Sequence, residues 1–167
     1  MIGRGVCDMV LDLRRALFSE MATVQVGMLG VQGSALPFEP MVHLMAPSSP
    51  ELWFLAEPDS DLVKAIEGSS TAAYCVTGRN HDLHACLTGP VRLAPDRRGL
   101  ERVWSISAEA MFPGGLSNID WTPLQVKVAE AVVWARPESA VVPGMEMILS
   151  TLQEQTLTDD KRQVLRF

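Results

Sequence analysis

Apolar and polar positions divide the chain into a leading helix followed by short strands. Met9, Val10, Leu13, Ala16, Leu17 and Met21 recur at three- and four-residue steps, which predicts a helix over 8–21 with one apolar face. Asp8 precedes this run as its expected N-cap. The period then shortens. Residues 23–30 and 36–46 read as two strands of a hairpin around Gln32-Gly33-Ser34. Pro37 and Pro40 lack an N–H donor, so the second strand belongs at a sheet edge or a bulge. Residues 51–56 make a third strand. Glu57-Pro58-Asp59-Ser60 then turns into a short helix through Leu62, Val63 and Ile66, ending near Gly68.

Strands four and five are expected over 71–77 and 83–93, the latter interrupted at Gly89-Pro90. Leu100, Val103, Trp104 and Ile106 give helical spacing to 96–111, closed by Phe112-Pro113-Gly114-Gly115. Val126, Val128, Ala131 and Val133 mark a sixth strand over 124–134. Residues 137–143 read as a linker, 145–155 as a terminal helix, and 156–167 as a polar end expected to fray. The expected organisation is one domain over 8–136 and a tail over 137–167. Short strands joined by tight turns predict a mainly β chain, a small antiparallel barrel with flanking helices.

Composition narrows the function. The chain has 167 residues, of which 47% are hydrophobic, enough for a true core and too many for a disordered chain. No apolar run reaches the ~18 residues of a membrane span, and the first eight residues lack a signal-peptide stretch. Fourteen Lys and Arg against 20 Asp and Glu give a net charge of -6, which argues against nucleic acid as a partner. Cys7, Cys75 and Cys86 include no C-x-x-C pair, so a reduced, cytoplasmic protein is expected.

The order of elements, with several local signatures, resembles the FMN-binding split-barrel proteins related to pyridoxamine 5'-phosphate oxidase, and within them the general stress protein 26 group. Phe38-Glu39-Pro40-Met41 is similar to the family's Arg-Pro-Met strand. Leu52-Trp53-Phe54-Leu55-Ala56 followed by Ser60 resembles its Trp-Phe-x-Thr strand and Ser-x-Lys turn. Leu87-Thr88-Gly89-Pro90-Val91 resembles its Ser-Gly-x-Ala strand, and Trp104 with Phe112-Pro113-Gly114-Gly115 its Trp…Trp-Phe-Pro-Gly-Gly segment. The helix-to-strand passage from Leu13 to Leu29 and the closing strand from Val126 to Trp134 complete the match.

The resemblance implies a six-stranded antiparallel split barrel that forms a homodimer, with FMN in the cleft between subunits. The positions it assigns to the cofactor are Glu39, Pro40, Met41, Leu55, Ala56, Ser60 and Leu62, with His84 approaching from the partner and Trp121 after a loop that reaches the cleft. The implied activity is that of an FMN-dependent oxidoreductase acting on a small molecule. Pyridoxamine phosphate oxidation itself is not expected, because the family's C-terminal substrate motif is not found.

The departures fall on these same positions. Glu39 stands where relatives have Arg, Ala56 where they have Thr, and Leu62 where they have the phosphate Lys. Lys64 lies roughly 200° around the helix from Leu62 and does not replace it. A carboxylate about 5 Å from a phosphate costs roughly 3 kcal/mol at an effective dielectric of 20. The alternative is therefore a non-enzymatic split-barrel dimer that has lost the phosphate anchors and binds another small ligand or a protein partner.

Other chemistry finds less support. His81 and His84 have no third ligand, so no metal site is expected. There is no Gly-x-Gly-x-x-Gly fingerprint, Walker loop or Gly-x-Ser-x-Gly elbow. No catalytic acid or base can be assigned.

Overall fold

The computed structural model describes residues 3–47, 49–66, 70–94, 97–112, 114–117, 120–135 and 162–167. In chain order the elements are α1 (Gly3–Thr23), β1 (Val26–Val31), β2 (Glu39–Val42), β3 (Glu51–Ala56), α2 (Asp61–Ala65), β4 (Ser70–Thr77) and β5 (Leu83–Leu93). Then follow α3 (Arg98–Glu101), α4 (Ile106–Met111), a 3-10 turn (Gly115–Ser117), β6 (Thr122–Lys127), β7 (Glu130–Ala135) and β8 (Arg162–Arg166).

All strand pairs are antiparallel, and the main path runs β2-β1-β4-β5-β6-β3. The path nearly closes on itself. Leu44, just past β2, exchanges two backbone hydrogen bonds of 2.8 Å with Trp53 of β3. This is the six-stranded split barrel expected from the sequence. Leu29, Phe54, Tyr74, Leu87, Leu124 and Val126 fill it, each at an inward step of its strand. Pro40 sits on β2, at the end of the path, where a missing N–H costs no ladder bond.

Helix α1 lays Leu17 and Met21 on this core. Ala16, expected on that face, is exposed, and Phe18 is buried instead. Phe167 explains the exchange. Its ring meets Phe18 edge-on at 5.7 Å, and the Arg14 guanidinium lies 4.4 Å from its centre.

Six expectations need correction. The first helix begins at Gly3, so Asp8 is inside it and is not a cap. The hairpin's second strand, expected over 36–46, is limited to β2 (Glu39–Val42). The helix expected over 96–111 is two helices, because Ser105 takes an extended backbone and its hydroxyl accepts the Ala108 N–H at 3.2 Å. Residues 162–166 do not fray but form β8 on β7, with Leu165 in the core. The linker and helix expected over 137–155 lie outside the described residues.

The fifth correction concerns the closing strand, which carries a bulge. Val91 pairs with Val126 and Thr88 with Glu130, so Gly89 and Pro90 of β5 face three residues of the other strand. A Cβ on Gly89 would lie 1.9 Å from the Lys127 carbonyl oxygen, so only glycine permits this crossing. β5 runs through Gly89-Pro90 without interruption. The bulge redirects the strand: β6 pairs with β3 to continue the barrel, and β7 pairs with β8 outside it.

Candidate functional site

The hairpin strand β2 presents the first group of expected site residues. Glu39 stands opposite Leu29 and Met41 opposite Gly27, so both turn toward the barrel, and Met41 packs on the core. Pro40 stands opposite Met28 on the outer face and is exposed. His43 N–H donates to the Gln25 carbonyl at 3.1 Å, which puts residues 39, 41 and 43 in the bonded register with β1. The backbone groups of Pro40 and Val42 therefore face the other edge, which no described strand covers.

The next residues divide across β3. Ala56 turns inward and joins Leu62 in the barrel core, 4% and 1% exposed. Leu55 turns outward into a second cluster with Leu44, Trp53, Leu100, Ala108 and Phe112, and Trp121 packs against it. Phe112 and Trp121 meet edge-on at 5.6 Å. The Trp121 indole N–H is buried with no partner among the described residues. Such a donor is the kind of group that a ligand acceptor would satisfy.

Ser60 is the N-cap of α2, its hydroxyl accepting the Val63 N–H at 3.3 Å. The helix has only 5 residues. With Leu62 in the core and a carboxylate at Glu39, the phosphate cradle implied by the resemblance does not fit at this turn.

His84 lies elsewhere, on the outer face of β5 opposite Trp134, with Nδ1 3.2 Å from the Thr77 hydroxyl. Within one chain the expected positions thus fall in four places: β2, the α2 turn with the core beneath it, the second cluster, and the outer sheet face at His84.

The sequence also sets His43 with Met41 and Met45 on one side of the hairpin strand, whereas a second feature, an arginine pocket, escaped the sequence reading. His43 is buried, its Nε2 donating to the Met21 carbonyl at 2.9 Å and its Nδ1 lying 2.8 Å from the Tyr74 hydroxyl. Burial lowers its pKa from the ordinary 6.5, while the Met21 bond works the other way. Arg92, Arg98 and Arg102 line one pocket beside Trp53 and Gln125. The four-residue spacing of Arg98 and Arg102 was a visible signal, but Arg92 joins them only through the fold.

Residues 12–159 match the family model described as pyridoxamine 5'-phosphate oxidase like. Among solved structures, a protein described as general stress protein 26 from Jannaschia sp. CCS1 is 25% identical, with 94% of this chain and 99% of that chain covered and a TM-score of 0.68. The general stress FMN/FAD binding protein from Xanthomonas citri is 21% identical, with 79% and 94% covered and a TM-score of 0.69. General Stress Protein 26 from Bacillus anthracis str. Sterne shares the fold at 14% identity, with 73% and 95% covered and a TM-score of 0.51. No curated protein matches the chain in sequence. The matched segment spans most of the chain and the fold agrees with these structures, so the chain belongs to the pyridoxamine 5'-phosphate oxidase-like family.

Proposed function

We propose that two copies of this chain pair through their outer sheet faces and hold a flavin in the cleft between them, as an oxidoreductase acting on a small molecule. One observation carries this reading. Pro40, Met28, Cys75, Cys86, Val132 and Val164 stand opposite one another in a single row across six strands. Met28 and Val164 remain 42% and 45% exposed, and Val26 beside them 51%. An apolar row of this length on water is a surface made to be covered.

Pairing on this row would bring the partner's His84 and the free edge of β2 toward a common cleft. The β2 edge offers backbone donors and acceptors to a flavin ring, and the Trp121 N–H offers another donor. The family and the FMN/FAD-binding relative support a flavin as the ligand. A bound flavin supplies the redox chemistry itself.

The α2 turn gives no such support for the phosphate of FMN. The ring and its apolar surroundings carry the affinity in this reading, so riboflavin and FMN should bind alike. A second reading follows from Leu62 and Glu39: a dimer without enzymatic activity that takes another uncharged ligand. Flavin-fluorescence titration with both flavins, alongside sedimentation velocity, tests the proposal. Equal binding by a dimer supports it, and a monomer that binds neither flavin overturns it.

A further inference from the structure

We infer that the pocket beside α3 is a binding site for a phosphate group carried on a small molecule other than the flavin. The pocket holds about 310 Å³ and is lined by Trp53, Arg92, Ala94, Arg98, Gly99, Arg102 and Gln125. That volume is at the lower end for small-molecule sites and accommodates a phosphorylated metabolite. Three of the chain's 14 Lys and Arg converge here although the net charge is -6, and no carboxylate is among the described lining residues.

The arginines are positioned by the fold. Arg92 Nε donates to Gln125 Oε1 at 2.7 Å. Gln125 is buried, and its Nε2 donates in turn to Glu51 at 3.2 Å. This chain fixes one side of the Arg92 fork with a neutral amide. The Nη groups of Arg92 have no partner among the described residues, and neither does the side chain of Arg102. The Glu51 carboxylate in this network accepts from Gln125.

Arg98 and Arg102 are one helical turn apart and reach the pocket from the α3 side. Gly99 between them abuts the edge of the Trp53 indole, which an added Cβ would meet at 2.3 Å. That close contact sets the helix down at the pocket's rim. The planar guanidinium forks of Arg92 and Arg102 match phosphate oxygens in pairs. None of the lining residues is on β2, on α2 or in the apolar row, and the pocket adjoins the proposed flavin cleft only through Trp53, which shares a cluster with Leu55 and Trp121.

The test is calorimetric titration of the wild-type protein with inorganic pyrophosphate, with tryptophan fluorescence followed in parallel. Saturable binding in the range of ~0.1–1 mM is expected, weakening with added salt. Arg102→Gln and Arg92→Gln should each weaken it about tenfold, with melting temperature checked for both. Arg102 is exposed and without a side-chain partner among the described residues, so its variant keeps the fold. Pyrophosphate should remain bound when FMN is added. No saturable binding up to about 10 mM, or wild-type affinity in both variants, would overturn the site. Displacement by FMN would overturn its assignment to a separate ligand.

Discussion

Tyr74 and His43 share a proton-poor contact in the barrel core: the hydroxyl lies 2.8 Å from Nδ1 of His43 and 3.0 Å from the Met41 carbonyl. The Met21 carbonyl only accepts, so Nε2 of His43 carries a proton. Nδ1 of the neutral ring must then accept from Tyr74, and one hydroxyl proton serves two acceptors. Imidazolium would complete the chain of bonds, but burial opposes its charge and lowers the pKa from 6.5.

The sign of the pH dependence follows. The unfolded state binds the proton more readily than the folded state. Stability is therefore fully present above pH 6.5 and is lost as pH falls toward the lower folded value. Thermal unfolding across this window should show the loss in the wild type and a flatter profile in His43→Gln. Equal slopes in the two proteins would contradict this role for His43.

The bulge makes a prediction about the closing strand. Gly89→Ala would drive a methyl group into the Lys127 carbonyl at 1.9 Å. The backbone of the crossing must move, at a cost of about 3 kcal/mol in denaturant unfolding. A loss below about 1 kcal/mol would show that the crossing is looser than described.

Leu62 decides whether the relatives' phosphate anchor can be restored. It is 1% exposed in the barrel core. Leu62→Lys should destabilise the protein by about 4 kcal/mol, through the lost packing and an unpaired buried charge. Flavin affinity should not improve. A stable Leu62→Lys protein with tighter FMN binding would place this side chain in the cleft.

Cys75 and Cys86 stand opposite each other between β4 and β5. Gly78 N–H donates to the Leu83 carbonyl at 2.7 Å, which makes Cys75 and Cys86 a non-hydrogen-bonded pair with close side chains. Burial first, and then the neighbouring Cys86, push the Cys75 thiol up to about 11. Alkylation of Cys75 by iodoacetamide should be slow near neutrality and rise about tenfold per pH unit through the alkaline range. Peptide mass spectrometry reads the rate, and a plateau near pH 8 would contradict the shift.

Much of this fold was legible in the sequence for local reasons. β3 and β5 match their expected bounds because a continuous apolar run in β3, alternation in β5 and flanking turn residues in both define them. The Ser60 cap was equally visible in its turn. The bulge had left a trace: Val126 and Val128 share one phase, Ala131 and Val133 the other. A single strand over 124–134 ignored that slip. The candidate site was less legible because facing depends on packing. Alternation could not tell that Ala56 and Leu62 fill the core while Leu55 joins Trp121. The three pocket arginines come from β5 and the α3 segment, and the contact of Gly99 with Trp53 that seats them has no local signal.

Flavin titration of the wild type beside Met28→Glu asks whether two copies are needed to hold the flavin. Met28 is an exposed member of the apolar row, so a carboxylate there should keep two copies apart without disturbing the barrel. The expected result is a wild-type dimer that quenches FMN and riboflavin fluorescence alike at micromolar concentrations, and a Met28→Glu monomer that loses both by about a hundredfold. A wild type that binds neither flavin up to about a millimolar, or a Met28→Glu monomer that binds as tightly, would contradict a flavin cleft built from two copies.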